Sequence, residues 1–350
     1  MGAPWAFDRS VDTWLSAHAG LVAPLSAELI AGGRSNLTYR VADARGRVVV
    51  LRRPPTSHVL PTAHDMAREH RIITALGPWG VPVPRALALC EDATVAEHPF
   101  YVMEFVDGLV LRDREQAEHA LDEATRGRVG TNLATTLAAL HDVDVDRAGL
   151  GDLARRDGYI ERQVRRWLGQ YRQMNEDAGH DLVVEIGERL GRSIPVAQRS
   201  TVVHGDYRLD NTVLDAQGRV RAILDWEICT IGDPLADVGL LLDYWSEPGD
   251  DLAVLASASA TTAAGFATRA EVLADYAAQT DLDLSDIAFY QAFGYFKLAC
   301  ILQGVYTRYR AGATGGDPGV VTEFPSHVAS LAQRAYDTLE TGWTTRSSNA

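Results

Sequence analysis

Lysine is almost missing from this sequence: of 33 basic residues only Lys297 is a lysine, and the rest are arginines. A site before position 297 that ordinarily relies on an ammonium must use arginine's planar fork or go without a cation. Cysteine is scarce too. Cys90, Cys229 and Cys300 stand far apart, with no metal-ligand or disulfide spacing, which suits a reducing compartment and leads us to expect a cytoplasmic protein. Long apolar runs are lacking. The longest uncharged stretch, Leu252 to Thr268, is rich in Ala, Ser and Thr and falls short of the ~20 apolar residues of a membrane span. The opening MGAPWAFDRS has no basic segment ahead of an apolar core, so no secretory signal is expected. Positive charge is in deficit, with a formal net charge of -14. That balance argues against a nucleic-acid partner, which calls for clustered cations. No internal repeat or low-complexity block is present.

What is there suffices for a large core. The 350 residues, 46% of them hydrophobic, suit one large or two modest domains. Residues 28 to 53 read as strands punctuated by glycine turns: Leu37 to Val41, a turn at Asp43 to Gly46, then Val48 to Leu51. A helix is expected near Ala63 to Leu76, followed by a proline-rich connection and a strand from Phe100 to Val106. Beyond Asp107-Gly108 the pattern is mostly helical, as in Ala117 to His141, Tyr159 to Met174, Pro234 to Trp245 and Ile287 to Arg310. The exception is a short β region at 201 to 225. A small β-rich part (1–105) and a large helical part (106–350) suggest two lobes with a cleft between them.

The most informative stretch is 201 to 239. An apolar strand, Thr201 to Val203, delivers His204, Gly205 and Asp206. Asn211 opens a second strand, DAQG at 215 to 218 is a turn signal, and RVRAIL runs back to Asp225. A hairpin folded there puts Asn211 and Asp225 together at its open end, with Asp206 a few residues before. An amide oxygen and carboxylates converging in this way suit magnesium, a hard cation that prefers oxygen ligands. Asn211 and Asp225 are then the expected Mg²⁺ ligands, and Asp206 the base that accepts the proton of an attacking hydroxyl. The histidine alone reads as a buried structural residue that orients the loop.

HGDYRLDN at 204 to 211, followed by LDWE at 224 to 227, resembles the H-G-D-x-x-x-x-N and later-Asp signature of the aminoglycoside phosphotransferase (APH) family, distant kin of protein kinases. LRRPP at 51 to 55, LPTAHDMAREHR at 60 to 71, GYIERQVRRW at 158 to 167 and DWEICTIGDPLADVG at 225 to 239 resemble more narrowly the kinase-like domain fused to some acyl-CoA dehydrogenases. The resemblance runs from about Gly32 to Arg310. It implies an α+β, two-lobed, protein-kinase-like fold with a small β-rich N-lobe and a large mainly helical C-lobe. It also implies ATP or GTP as donor and a small-molecule hydroxyl as acceptor.

On the helix expected at 63 to 76, Met66, Glu69, Ile73 and Leu76 share one face, and a carboxylate on a buried stripe calls for a partner. In kinase-like folds such a Glu holds a strand cation that grips the donor phosphates. Here that cation is Arg52 or Arg53, because no lysine precedes Lys297, and strand alternation turns only one of them toward the cleft; the resemblance favours Arg52, and arginine meets phosphate bidentately. AGGRSNLTYRV at 31 to 41 fits a glycine turn whose backbone around Gly33, Ser35 and Asn36 would cover phosphates. YVMEFVDG at 101 to 108 stands where such folds bridge their lobes, and adenine would bond to backbone groups of Glu104 and Val106. Asp233 reads as the cap of the helix PLADVGLLLDYW, and by resemblance Asp237 braces the catalytic loop. Glu227 reads either as a contact for a second metal or the substrate, or as a surface carboxylate.

Two features bear on the acceptor. The segment 153 to 172 carries Arg155, Arg156, Arg162, Arg165, Arg166 and Arg172 against Asp157 and Glu161, and its arginine face is either solvated or suited to an anionic substrate such as a coenzyme A thioester. Residues 270 to 286 hold Glu271, Asp275, Asp281, Asp283 and Asp286 with no base, which would draw a polycation or form a solvated loop. The closer resemblance favours a hydroxyacyl-type or other metabolic alcohol. The alternatives are an aminoglycoside kinase and a nucleotide-binding pseudokinase without transfer activity.

Overall fold

The computed structural model describes residues 9–30, 36–55, 65–175, 181–250, 256–310 and 323–343. The chain divides into two compact units: Met1–Gly108 with Ala148–Leu150 and Arg221–Glu227, and Leu109–Arg147 with Gly151–Val220 and Ile228–Ala350.

In the first unit a five-stranded antiparallel sheet has the order β1-β2-β3-β5-β4, from β1 (Ser26–Leu29), β2 (Leu37–Ala42), β3 (Val48–Arg53), β4 (Ala86–Cys90) and β5 (Phe100–Glu104). The turn between β2 and β3 forms because Asp43 accepts the N–H groups of Arg45 and Arg47, each at 2.8 Å, and Gly46 takes φ 81°, a left-handed conformation that glycine adopts without strain. Alternation then assigns the faces. Val49 and Leu51 of β3 and Phe100 and Val102 of β5 pack with Val11 and Leu15 of helix α1 (Arg9–Ala19) in one core. Each such side chain contributes roughly 1.5–3 kcal/mol by leaving water. The residues between them, Val50 and Arg52 on β3 and Tyr101 and Met103 on β5, turn to the opposite face, where Arg52 lies directly across from Tyr101. Helix α2 (Met66–Leu76) packs against β4 and β5. Asp65 caps it by accepting the Arg68 N–H at 2.9 Å, and it buries Met66, Glu69, Ile72, Ile73 and Leu76. The helix expected from Ala63 thus starts at Met66; residues 63 and 64 lie outside the described residues.

The second unit is mainly helical. Helices α3 (Arg114–Ala120) and α4 (Glu123–His141) replace the single helix expected over Ala117 to His141. The break follows from the caps: Asp113 accepts the Gln116 N–H and Asp122 the Thr125 N–H, at 2.8 and 2.7 Å, so each Asp starts a helix of its own. Helix α5 (Tyr159–Met174) keeps its expected bounds, and α6 (Leu182–Arg192) packs beside it. Strand β6 (Thr201–Val203) pairs antiparallel with β9 (Thr230–Gly232). Strand β7 (Thr212–Leu214) runs to the turn at 215–218, where Asp215 accepts the N–H groups of Gln217 and Arg219. Strand β8 (Val220–Ile223) then carries the chain into the first unit. Helix α7 (Leu235–Tyr244) follows β9; Asp233 Oδ1 accepts the N–H of Leu235 at 3.1 Å, and its other oxygen accepts from Tyr290. Helix α8 (Arg269–Ala277) opens with a capping box between Thr268 and Glu271, which accounts for one carboxylate of the acidic run. The central element is α9 (Ile287–Arg310), buried almost continuously from Ile287 to Cys300 and packed on α5, α6, α7 and α10 (Phe324–Thr341). Helices α7 and α9 approach closely at Gly239, where a Cβ would stand 2.4 Å from the Tyr290 carbonyl. Among the described residues no helix is long and apolar enough to cross a membrane.

Candidate active site

Two constellations hold the residues singled out from the sequence. In the first unit, Arg52 projects from β3 toward α2, and its Nε lies 2.9 Å from Glu69 Oε2. Their side chains are 11% and 2% exposed, so the pair is buried. Arg53, one residue on, faces the other way with its Nε toward its own neighbour's carbonyl at Pro54. Three groups converge on Glu69: the charge of Arg52, and as hydrogen-bond donors the Tyr101 hydroxyl at 3.0 Å and the Asn36 amide at 2.9 Å. The other end of Arg52 meets Asp225, Nη2 to Oδ1 at 2.5 Å, and Glu227 Oε2 at 3.6 Å. Asn36, itself buried, also donates to Glu227 Oε2 at 3.1 Å. Glu227 is thus part of this cluster, and the surface-carboxylate reading of it is set aside. Burial, reinforced by Asp225 and Glu227 nearby, pushes the Glu69 carboxyl up to about 7 against the pull of Arg52 and Tyr101. Arg52 is held firmly charged: burial works against its charge, but Glu69 and the surrounding acids outweigh it and raise its pKa.

Asp225 is the described non-glycine residue with positive φ, at 63°, a conformation costing ~1–2 kcal/mol for most L-residues but accessible to Asp and Asn. Strain of this kind concentrates at functional sites. Here it sets the carboxylate against Arg52 with the side chain 34% exposed. Gly33 and Ser35 of the glycine turn lie outside the described residues. Strand β5 ends at Glu104, two residues earlier than expected, and the Glu104 N–H is given to the Arg85 carbonyl at 2.9 Å. Val106 lies half-buried in the loop that follows.

In the second unit, β6 leads into His204-Gly205-Asp206. Asp237 on α7 accepts both the His204 N–H at 2.6 Å and the Gly205 N–H at 2.8 Å. Burial would raise the Asp237 carboxyl, but His141, His204 and the Gly205 N–H hold it below the usual carboxylate range. His204 is fully buried, and its Nδ1 accepts the Asp206 N–H at 3.2 Å, so its ring orients the loop. Gly205 takes φ 84°, and a Cβ there would lie 3.1 Å from Ile228, so both backbone and space call for glycine. The Asp206 side chain is 27% exposed. Its Oδ2 accepts the Asn211 amide at 2.8 Å, and the same amide nitrogen donates to the Asp206 carbonyl at 2.9 Å. This leaves the amide oxygen of Asn211 as its available donor toward a cation. Arg208 lies 3.4 Å from Asp206 and 3.1 Å from Asp210.

The structure therefore brings together Arg52, Glu69, Asn36 and Asp225 in one unit, and Asp206 with Asn211 in the other. Oxygen donors from a carboxylate and an amide fit magnesium. The contacts of Tyr101 and Arg208, and that of Lys297 with the Gly205 carbonyl, were not read from the sequence. Tyr101 was legible through alternation with Met103 on β5, and Lys297 through being the lone lysine. Arg208 carries no separate signal in the sequence.

A model of the phosphotransferase enzyme family (APH) matches residues 26–276. Acyl-CoA dehydrogenase family member 10 of Mus musculus is 36% identical over 314 residues, covering 87% of this chain but 28% of that protein. The chain thus spans under a third of that relative's length. Among solved structures, a candidate aminoglycoside phosphotransferase of Ralstonia eutropha is 30% identical with a TM-score of 0.79, covering 97% of this chain and 100% of that one. A thermostable mutant of the aminoglycoside phosphotransferase APH(4)-Ia, in ternary complex with AMP-PNP and hygromycin B, shares the fold at 16% identity and a TM-score of 0.61, covering 97% and 100%.

Proposed function

Because the chain belongs to the phosphotransferase enzyme family (APH), we propose that it transfers the terminal phosphoryl group of ATP, or of GTP, to a hydroxyl of a small molecule with the help of magnesium. The observation that supports this most is the state of Asp206: a partly exposed carboxylate on a loop whose backbone Asp237 pins and whose oxygen Asn211 orients. A carboxylate so held can take the acceptor's proton as its oxygen bonds to phosphorus and the bond to the departing ADP oxygen breaks. Arg52, kept charged by Glu69, grips the donor phosphates. The backbone of Gly33, Ser35 and Asn36 covers them, and adenine pairs with backbone groups of Glu104 and Val106. Asn211 and Asp225 hold Mg²⁺, an assignment that rests on the order of the motif in the sequence. The metal when bound would neutralise charge between the donor phosphates. On this reading residues 1–105 bind the nucleotide and 106–350 carry the base and the acceptor site, in the cytoplasm.

The acceptor we favour is a hydroxyacyl-CoA-type or other metabolic alcohol, since the relative named above is an acyl-CoA dehydrogenase family member. The second reading is an aminoglycoside, supported by the Ralstonia eutropha chain that this one covers end to end. The test is a panel of hydroxylated acyl-CoAs, aminoglycosides and sugars, with ADP release and product mass as readouts. Acceptor-dependent ADP release with a product heavier by one phosphoryl group supports the proposal and names the class. Tight Mg-ATP binding with no transfer to any acceptor makes the chain a nucleotide-binding module.

A further inference from the structure

We infer that Lys297 is a positioning residue for Asp206, holding the catalytic turn by a carbonyl while Asp237 holds it by two amides; the inference rests on the reading of Asp206 as the proton acceptor. Lys297 is the single lysine among 33 basic residues. It lies in the buried half of α9, is 8% exposed, and donates from Nζ to the Gly205 carbonyl at 2.6 Å. Gly205 is the residue immediately before Asp206, has a left-handed backbone, and brings no side chain of its own to hold its carbonyl. The Asp237 carboxylate takes the N–H groups on one side of this turn and the Lys297 ammonium takes the carbonyl on the other. The peptide plane leading into Asp206 thus has its carbonyl held by Lys297 and its N–H, on Asp206, held by His204 Nδ1, while Asp237 holds the two peptides before it, so the direction of the carboxylate is fixed too.

The choice of lysine in a chain that otherwise uses arginine has a steric reason. An ammonium is a compact donor that can approach one carbonyl head-on, whereas a guanidinium is a planar fork that calls for room and for several acceptors. The charge is also placed to matter. Burial lowers the Lys297 pKa, Asp206 and Asp237 work to raise it, and Arg166 on α5 adds to the lowering, leaving it below the ordinary lysine value. These groups, from the loop, α7 and α5, are those that face it.

A lone lysine makes the experiment unusually clean, because side-chain ¹³C-labelled lysine gives one resonance in the full chain. In the wild type that signal should titrate below ordinary lysine, and Asp206→Asn should shift its midpoint lower still, since a carboxylate that favours the ammonium is gone. Lys297→Met should lower kcat for transfer ~10–100-fold, part of the ~10²–10⁴ that a positioned base contributes, with the Mg-ATP Kd changed less than about 3-fold. Lys297→Arg keeps the charge and should recover only part of the loss. A lysine signal that titrates at the ordinary value and ignores Asp206→Asn overturns the inference, even if Lys297→Met fails to fold. A Lys297→Met enzyme with near wild-type kcat, beside an inactive Asp206→Ala, overturns it while leaving the reading of Asp206 intact. Full transfer by Asp206→Ala removes that reading, and this inference with it.

Discussion

Consider removing each partner of the Arg52–Glu69 pair. The two groups meet at 2.9 Å with side chains 11% and 2% exposed, so water does little to screen either. Removing one partner of a buried pair typically costs ~3–5 kcal/mol, because the survivor is left uncompensated. The surroundings make the two deletions unequal. Glu69→Ala leaves Arg52 with Asp225 and Glu227, whereas Arg52→Ala leaves three carboxylates without the cation they share. Arg52→Ala should therefore be the more damaging, toward the upper end of that range, and Glu69→Ala toward its lower end. Because both remove the same contact, the double variant should be less destabilised than the sum, by a coupling of ~0.5–3 kcal/mol. Urea midpoints for the four proteins give the cycle, with Arg53→Ala in place of Arg52→Ala as the control. Additivity within ~0.5 kcal/mol, or coupling of Arg53 rather than Arg52 to Glu69, would refute the reasoning.

Asp225→Asn keeps a residue that tolerates the left-handed backbone but removes the anionic metal ligand, so calorimetry should show weaker Mg-ATP binding; an unchanged Kd would mean that the metal is held elsewhere. Asp243 on α7 is fully buried, and burial raises its pKa well above the usual carboxylate range against the pull of Arg269 and Arg334, with Gln291 and Tyr295 beside it. The unfolded chain releases this proton near the ordinary Asp value while the folded chain keeps it, so stability falls as pH rises above about 4, by at most ~1.4 kcal/mol per pH unit. Asp243→Asn should flatten that slope in Tm measurements between pH 5 and 8, and an unaltered slope would contradict a buried neutral acid. The arginine face of α5 is largely paired internally, with Arg165 on Glu161, Arg172 on Glu188 and Arg162 on the carbonyls of Arg155 and Asp157, while Arg166 lies over the Trp167 ring. Arg166→Glu should raise the KM of an anionic acceptor and leave Mg-ATP affinity alone; a flat response in both mutant and added salt returns the face to solvent.

Much of this was legible in the sequence. The β-rich first part and helical second part follow from turn residues and apolar period, and the motif from His204 to Asn211 with Asp225 downstream named the catalytic candidates. The lack of lysine before Lys297 reduced the cation to Arg52 or Arg53, and strand alternation said that only one points inward but not which, because that depends on which face of β3 meets α2. Asn36 was read for its backbone, yet its side chain bonds both Glu69 and Glu227, the latter 191 residues away in sequence, a separation that no local pattern reports. The break at Leu121-Asp122 was missed because the apolar period runs through it, while the cap that stops it is one aspartate among many. Lys297 was noticed for its rarity alone. Its bond to Gly205 is a tertiary contact across 92 positions.

The most direct test of the central claim is a single-turnover assay of phosphoryl transfer from γ-labelled ATP to an acceptor from the panel, wild type beside Asp206→Ala. The account predicts labelled acceptor from the wild type, loss of transfer by ~10²–10⁴-fold in the variant, and the same Mg-ATP Kd in both. Label appearing in the acceptor at comparable rates from both proteins would contradict it.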